Sequence, residues 1–359
     1  MQIIYFPYLN LKNQDELDFG DFKIWNFDRK ANEYIPDETL RSYIGKLMAS
    51  NVTRKQPIKD IGVLSIGAVD FRVFNEEEFQ LAKEARLLMF VSYISKVNIS
   101  ATGVNGGHYM ATSENFTYVT QNFQPESDHI AEQSGFIVRK LMGGYRVDEV
   151  TFNSPSFLLT PMRFALDGEL IGHLLLLRKK QKRLYRRILR AIDLLFESYF
   201  NDPYLSLNAR VLLQVGAFEV LLDLPEEGQR RVFKDLIHQH TDNTRETQVK
   251  FYSERRGSKV KEKASRKVKW ADKFYTLRNH IIHGNAVPID DFYFERKQRH
   301  IDVSLLFFIL IIKRLINEKL PRPYYFDTID WKKTDYAVDN QYGFEFVDHS
   351  IMRRLSRIR

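Results

Sequence analysis

The chain contains no cysteine. Disulfides, thiolate nucleophiles and cysteine-based zinc sites are therefore excluded, and a reducing cytoplasm is compatible with the composition. Long apolar runs are also missing. The longest, Leu305 to Ile312, falls well short of the roughly 20 residues needed to span a bilayer. The N-terminus, Met1-Gln-Ile-Ile-Tyr-Phe-Pro7, has no basic segment followed by an apolar one and does not read as a signal peptide. No internal repeat or low-complexity tract is present. These absences lead to the expectation of a cytoplasmic protein with no membrane partner.

What is present is a chain of 359 residues, long enough for two domains or one large one. Apolar residues make up 44%, ample for a packed core, and the abundance of Phe and Tyr argues against wholesale disorder. Lys and Arg outnumber Asp and Glu by 54 to 46, a formal charge of +8. An excess of that sign favours a polyanionic partner, most simply nucleic acid.

The first part of the chain, residues 1–177, reads as a mixed α+β domain, taken as a sensor or regulatory part that responds to a trigger. Short aromatic and β-branched runs at Ile3–Phe6, Phe22–Phe27 and Ile61–Ile66 predict strands. Asn75-Glu-Glu-Glu78 has the form of a capping box opening a helix with Phe79, Ala82, Leu87, Phe90, Val91 and Ile94 on its apolar stripe. Phe116–Phe123, Phe136–Leu141 and Tyr145–Phe152 read as further strands, with Gly143-Gly144 as a hairpin turn.

Character changes near Arg178. From there to residue 322 the pattern predicts an all-α bundle of five helices without a convincing strand. The first helix carries Tyr185, Ile188, Ile192 and Phe196, and the second carries Leu207, Val211, Val215, Phe218 and Leu222. The third runs from about Glu227 to His238. Residues Thr241 to Gly257 read as a connection. The fourth begins in a basic run near Lys259 and ends at His283, and the fifth spans Ile301 to Lys319. Residues 323–359 form a C-terminal extension. The fold class is thus α+β, a mixed N-terminal domain followed by a helical bundle.

The most informative segment is Tyr275-Thr-Leu-Arg278-Asn279-His280-Ile-Ile-His283-Gly284. Trp270, Phe274, Leu277 and Ile281 form the core-facing stripe of its helix. Asn279 and His283 are four residues apart and neighbour each other on another face. Gly284 fits the left-handed residue just past a helix end. The helix dipole there favours an imidazolium at His283, and Arg278 opposes it, so a proton-transfer role near neutrality is expected. RNA carries its own nucleophile: a base that deprotonates the 2′-hydroxyl lets it attack the adjacent phosphate without a metal. A guanidinium can hold that phosphate bidentately. The leaving 5′-oxygen needs a proton too, so a second imidazole from a two-fold partner would complete the site. One helix upstream, Glu219 interrupts an apolar stretch, and an inward carboxylate calls for a partner such as Arg278, Asn279 or His283.

Tyr275-x-x-Arg278-Asn279-x-Ile281-Ile282-His283-Gly284 resembles the signature of the HEPN superfamily of helical-bundle ribonucleases, particularly its Apea-like branch. Ala217-Phe218-Glu219-Val220-Leu221-Leu222 resembles the A-x-E-x-L-L helix that precedes the signature in such domains. The resemblance covers residues 178–322. It implies an RNA endonuclease of the defence-effector or toxin kind, commonly a homodimer with a composite site. Carried onto this chain, the motif Arg is Arg278, its polar neighbour Asn279 and the catalytic His is His283. Glu219 takes the supporting carboxylate position. The alternative is a non-catalytic module that binds RNA or nucleotide.

Two basic runs flank the motif. Residues 178–190 hold eight Lys or Arg and no acid, and residues 254–269 hold eight with two acids. They supply the candidate RNA-binding residues Arg178, Lys179, Lys180, Lys182, Arg183, Lys267 and Lys269. No cofactor or metal is expected. His280 and His283 lack a third ligand at a familiar spacing, and Asp290, Glu295 and Lys297 lie too close in sequence for the usual metal-nuclease triad. Gly103, Gly106 and Gly107 lack the lysine of a phosphate loop and read as a turn.

Overall fold

Alternation of side chains along the first strand explains the N-terminal architecture. The computed structural model of the protein describes residues 1–11, 14–49, 51–53, 56–66, 73–96, 113–122, 133–134, 152–153, 166–199, 205–241, 248–255, 258–295 and 298–321. Strand β1 (Gln2–Asn10) is buried on both faces. Ile3 and Tyr5 join Trp25, Val63, Ile44 and Leu47 in one cluster, while Ile4 and Phe6 are buried on the opposite side. A strand covered on both faces reads as a continuous apolar run, and that is how Ile3–Phe6 stands out in the sequence.

The described strands β2 (Glu16–Asp18), β3 (Lys23–Asn26), β6 (Ile61–Ser65), β7 (Val119–Asn122) and β8 (Gln133–Ser134) join β1 in an antiparallel sheet of order β2-β3-β6-β1-β7-β8. Ile4 sits opposite Leu64 on one side and Thr120 on the other. Between β3 and β6 come α1 (Phe27–Tyr34), α2 (Glu38–Ala49), β4 (Asn51–Thr53) and β5 (Gln56–Pro57). The helices α1 and α2 supply Phe27, Ala31, Ile44, Leu47 and Met48 to the buried cluster. The short β9 (Phe152–Asn153) pairs parallel with β4.

The expected capping box is formed. Asn75 Oδ1 accepts from the Glu78 N–H at 3.0 Å, and the Asn75 N–H donates to Glu78 Oε2 at 2.8 Å, opening α3 (Glu76–Lys96). Of the expected strand at Phe116–Phe123, Val119–Asn122 forms β7, Phe116 closes a 3-10 turn (Ser113–Phe116), and Phe123 lies outside the described residues. The expected strand at Phe136–Leu141, all of that at Tyr145–Phe152 except Phe152 (which begins β9), the turn at Gly143-Gly144, the Gly103–Gly107 segment and residues 323–359 lie outside the described residues.

The chain divides into two units, Met1–Tyr93 with Ala111–Leu166, and Ile94–Met110 with Asp167–Arg359. The second unit holds the anticipated helices, here α5 (Lys182–Ser198), α6 (Leu207–Leu222), α7 (Gln229–Thr241), α8 (Arg266–Ile282) and α9 (His300–Lys319). Two features correct the sequence reading. First, a further helix, α4 (Gly168–Lys180), precedes α5, so Arg178 falls in its last turn. Asp167 caps it by accepting from the Leu170 N–H at 3.2 Å, and Gln181 separates it from α5. Second, the bundle is not all-α. Strands β10 (Gln248–Arg255) and β11 (Ser258–Ser265) pair antiparallel where a connection and a helix start were expected. Helix α8 begins only after Ser265, whose hydroxyl accepts from the Val268 N–H at 3.3 Å. A 3-10 turn (Ile289–Phe292) and the short pair β12 (Tyr293–Phe294) and β13 (Gln298–Arg299) lead into α9.

The bundle core centres on Phe218 of α6. Its ring meets Phe233 of α7 at 5.5 Å, Trp270 of α8 at 6.3 Å and Phe308 of α9 at 5.5 Å, all edge-on. The α5–α6 pair is antiparallel and tied at both ends: Arg210 donates to the Ser198 carbonyl at 2.9 Å, and Arg187 pairs with Asp223 at 2.8 Å. Among the described residues no helix is long and apolar enough to cross a membrane.

Candidate functional site

The last turns of α6 and α8 meet at one corner of the bundle, and the polar groups of the motif gather there. Glu219 lies in the last turn of α6. Its Oε1 accepts from the Tyr275 hydroxyl at 2.6 Å and pairs with Arg278 Nη2 at 3.2 Å. The Gln229 side-chain oxygen stands 2.8 Å from the same hydroxyl. Tyr275 itself is 2% exposed. Burial, then the adjoining carboxylate, push its phenol far above the usual tyrosine range, against the milder opposing effect of Arg278. The proton therefore stays on the phenol. The same carboxylate oxygen thus meets both the phenol and the guanidinium.

Arg278 is fixed from three sides. Beside Glu219, its Nη1 donates to Asn279 Oδ1 at 3.1 Å, and its guanidinium carbon lies 5.3 Å from the centroid of the Tyr275 ring. The side chains of Arg278 and Glu219 retain 23% and 21% exposure. A guanidinium carries five N–H donors, so two contacts leave others for an anion arriving from solvent. Asn279 spends its oxygen on Arg278, which leaves its amide hydrogens available.

His283 caps α8 and is exposed. The helix end is a complete Schellman arrangement. Gly284, at φ +70°, donates to the Ile281 carbonyl at 3.1 Å, and Asn285 donates to the His280 carbonyl at 3.0 Å. At 3.6 residues per turn, His283 is offset from Asn279 by about 40° around the axis and from Arg278 by about 140°. The structure thus joins Glu219, Tyr275, Arg278 and Asn279 in one network. It leaves the His283 side chain beside that network on the Asn279 side, joined to it only through the backbone, where the His283 N–H donates to the Asn279 carbonyl at 3.0 Å.

The basic residues divide. Lys179, Lys180, Lys182 and Arg183 are exposed and Arg178 is half-buried, at the junction of α4 and α5. Arg186 and Arg190 continue the exposed face, and the Arg187–Asp223 pair ties it to the C-terminus of α6, close to Glu219. The second run requires correction. Lys267 is 1% exposed and its ammonium donates to the Thr241 carbonyl at 2.8 Å, so it cannot reach a polynucleotide. Lys269 is engaged by Glu295 at 2.6 Å. The lysines that do project are Lys250, Lys259, Lys261 and Lys263, on one face of the β10–β11 hairpin. The sequence signal for them is the alternation in Lys259-Val-Lys261-Glu-Lys263, which has the period of a strand.

Among the described residues no group of three or more His, Asp or Glu is placed to hold a metal ion. Asp290 and Asp291 lie in the 3-10 turn and Glu295 is held by Arg266 and Lys269, while Lys297 lies outside the described residues. No family model, no curated protein and no solved structure matches the chain.

Proposed function

We propose that the second unit is an endoribonuclease of the HEPN type, acting without a metal at the corner formed by α6 and α8. The observation that carries this reading is the arginine held by a locked acid at an open helix end: Tyr275 fixes Glu219, and Glu219 fixes Arg278, yet Arg278 keeps donors to spare. A structural ion pair needs no such second support.

In this reaction Arg278 binds the scissile phosphate and stabilises the charge that grows on its oxygens. Asn279 orients Arg278 through its oxygen and offers its amide hydrogens to the phosphate. The 2′-oxygen attacks phosphorus as His283 takes its proton. The bond from phosphorus to the 5′-oxygen breaks, and that oxygen is protonated by an imidazole acting as acid. A 2′,3′-cyclic phosphate and a 5′-hydroxyl result. Because His283 stands on one side of Asn279 only, the second imidazole is assigned to His283 of a second copy, which makes the working form a homodimer. The exposed face of α5 guides RNA to the corner by charge. A defence role, with the first unit sensing the trigger, completes the proposal and rests on the HEPN resemblance alone.

The test is cleavage of RNA by the purified protein in excess chelator, with the product ends identified. Wild type is expected to leave cyclic phosphates. His283→Ala is expected to abolish cutting and to keep RNA binding. A His283→Ala protein that cuts at the parental rate sinks the assignment.

A further inference from the structure

The second unit holds a cleft of ≈ 730 Å³ on the other side of α8 from Arg278, between the β10–β11 hairpin, α8 and the segment 290–295. Its walls differ in chemistry. Lys250 and Lys259 of the hairpin and Lys273 of α8 supply cations on one side, and Asp290 and Asp291 supply carboxylates on the other. Tyr252, Tyr293 and Phe294 add aromatic surface. Within the lining Lys269 pairs with Glu295 at 2.6 Å, and Lys273 reaches the Tyr252 carbonyl at 3.4 Å.

Two observations point to an occupant of this space. Tyr252 is 58% exposed, and it sits on the hairpin face that also carries Lys250, Lys259, Lys261 and Lys263. Lys250 lies directly opposite Lys263, and Tyr252 opposite Lys261. Glu254 stands opposite Lys259, but Lys250 and Lys263 face each other as like charges, which is destabilising, so an anion is the natural complement of that end of the face. The second observation is His300. It lines the cleft, is 2% exposed, and its Nδ1 has no hydrogen-bond partner. The ring is stacked on Phe274 at 5.6 Å, which fixes its plane. A buried, unsatisfied ring nitrogen is costly, and a ligand that bonds to it removes the cost.

We propose that this cleft binds a ribonucleoside 5′-phosphate unit. The phosphate lies against Lys250, Lys259 and Lys273. The ribose diol donates to Asp290 or Asp291, as a diol does to a carboxylate in dinucleotide folds. The base lies among the aromatic rings with its edge towards His300 Nδ1. Burial and the charge of Lys273 lower the His300 pKa to about 3, so the ring is neutral near pH 7. The unit is either a free nucleotide or one residue of an RNA strand, and the site operates whether or not the corner at Arg278 cleaves RNA.

The experiment uses the full-length protein carrying His283→Ala, so that no cleavage intervenes. Calorimetry measures binding of adenosine and guanosine 5′-monophosphate, their 2′-deoxy forms and inorganic phosphate. Fluorescence anisotropy measures binding of a short labelled single-stranded RNA. The expected result is binding of a ribonucleotide, of the RNA, or of both. The deoxy form should bind at least several-fold more weakly, and inorganic phosphate should bind weakly or not at all. Lys250→Glu combined with Lys273→Glu should lower affinity at least tenfold. Both residues are exposed, so the fold should survive. His300→Phe keeps an aromatic ring and should weaken binding several-fold while leaving unfolding in urea unchanged or later. Binding of the free nucleotide identifies a small-molecule ligand, and binding of RNA alone identifies a strand subsite. Absence of binding to either probe, or binding that both sets of substitutions leave intact, overturns the proposal.

Discussion

Replacing Arg278 by alanine separates a catalytic arginine from a structural one, because the structure bounds both costs. The pair with Glu219 is about a fifth exposed on each side, so solvent screens it, and its loss costs about 1 kcal/mol. Stacking of the guanidinium on Tyr275 adds about 0.5–1 kcal/mol. Glu219 keeps its bond from Tyr275 and its access to water, so no buried charge is stranded. The total stays near 2 kcal/mol, too little to unfold a protein of ordinary stability. Loss of a donor to a developing oxyanion costs about 10²–10³ in rate, or about 2.7–4 kcal/mol of transition-state stabilisation. Arg278→Ala should therefore unfold in urea within about 1 M of wild type and cut RNA at least a hundredfold more slowly. Arg278→Lys should keep the ion pair and lose most of the rate, because an ammonium lacks the planar fork. A variant that unfolds would mark the corner as a scaffold element. A folded variant that cuts at the parental rate would remove Arg278 from the chemistry altogether.

Three further outcomes follow from neighbouring groups. Tyr275→Phe removes the hydrogen bond to a charged acceptor; a loss of about 1.5–3 kcal/mol in urea unfolding is expected, together with slower cleavage at saturating RNA, since Glu219 is then free to swing. Asp272 is 1% exposed and takes Arg230 at 2.8 Å, Lys234 at 3.3 Å and the Ser253 hydroxyl at 2.9 Å. Asp272→Ala removes the buried carboxylate shared by Arg230 and Lys234, while Lys234 keeps Glu262 at 2.8 Å and Arg230 keeps the Ser253 hydroxyl at 3.0 Å, so a cost of about 3 kcal/mol is expected in the same assay; a loss below about 1 kcal/mol would contradict the role given to this network. His300 has its pKa depressed to about 3, mainly by burial, against an unfolded value near 6.5. Below about pH 6.5 the unfolded chain binds a proton that the folded chain refuses. Stability is therefore complete above that pH and falls by about 1.4 kcal/mol per unit as pH drops towards 3. Urea midpoints measured across this window should show His300→Phe less acid-sensitive than wild type by that slope.

The parts legible in the sequence are those written locally. The capping box needs only Asn75 and Glu78, and the helix stop needs only Gly284, so both are readable and both are formed. Glu219 stands out because a carboxylate inside an apolar stretch demands a partner, and Arg278 is that partner. Tyr275 gives no sign of being the second one. A tyrosine on a helix reads as core, and only the crossing of α6 and α8 places its hydroxyl on Glu219. The β10–β11 hairpin is hard to read because its inward face mixes the buried Phe251 with polar groups: Ser253 and Glu262 point towards Asp272 and Lys234. Strand patterning fails where ion pairs replace hydrophobic burial. Lys267 misleads for the same reason, since a run of lysines says nothing about which one a neighbouring carbonyl will claim.

The electrostatics of the corner give the basic face of α5 a necessary part. Two helix C-termini converge there, each carrying roughly half a negative charge, and Glu219 adds a full one. A phosphate approaching Arg278 alone would meet a corner that keeps roughly one net negative charge. The compensating charge comes from α5, where Arg183, Arg186 and Arg190 are exposed on one stripe. Arg187, beside that stripe, fastens to Asp223 just past the end of α6. Removing exposed cations from this stripe should weaken RNA binding without touching the chemistry. For Arg183→Gln combined with Arg186→Gln, the slope of log affinity against log salt should fall by about one for each phosphate that is no longer neutralised. The cleavage rate at saturating RNA should stay within about twofold, because neither residue reaches the scissile phosphate in this arrangement. An unchanged salt slope would show that RNA does not cross α5. A collapse of the saturated rate would show that these arginines act in the reaction itself, and that the site is larger than the corner between α6 and α8.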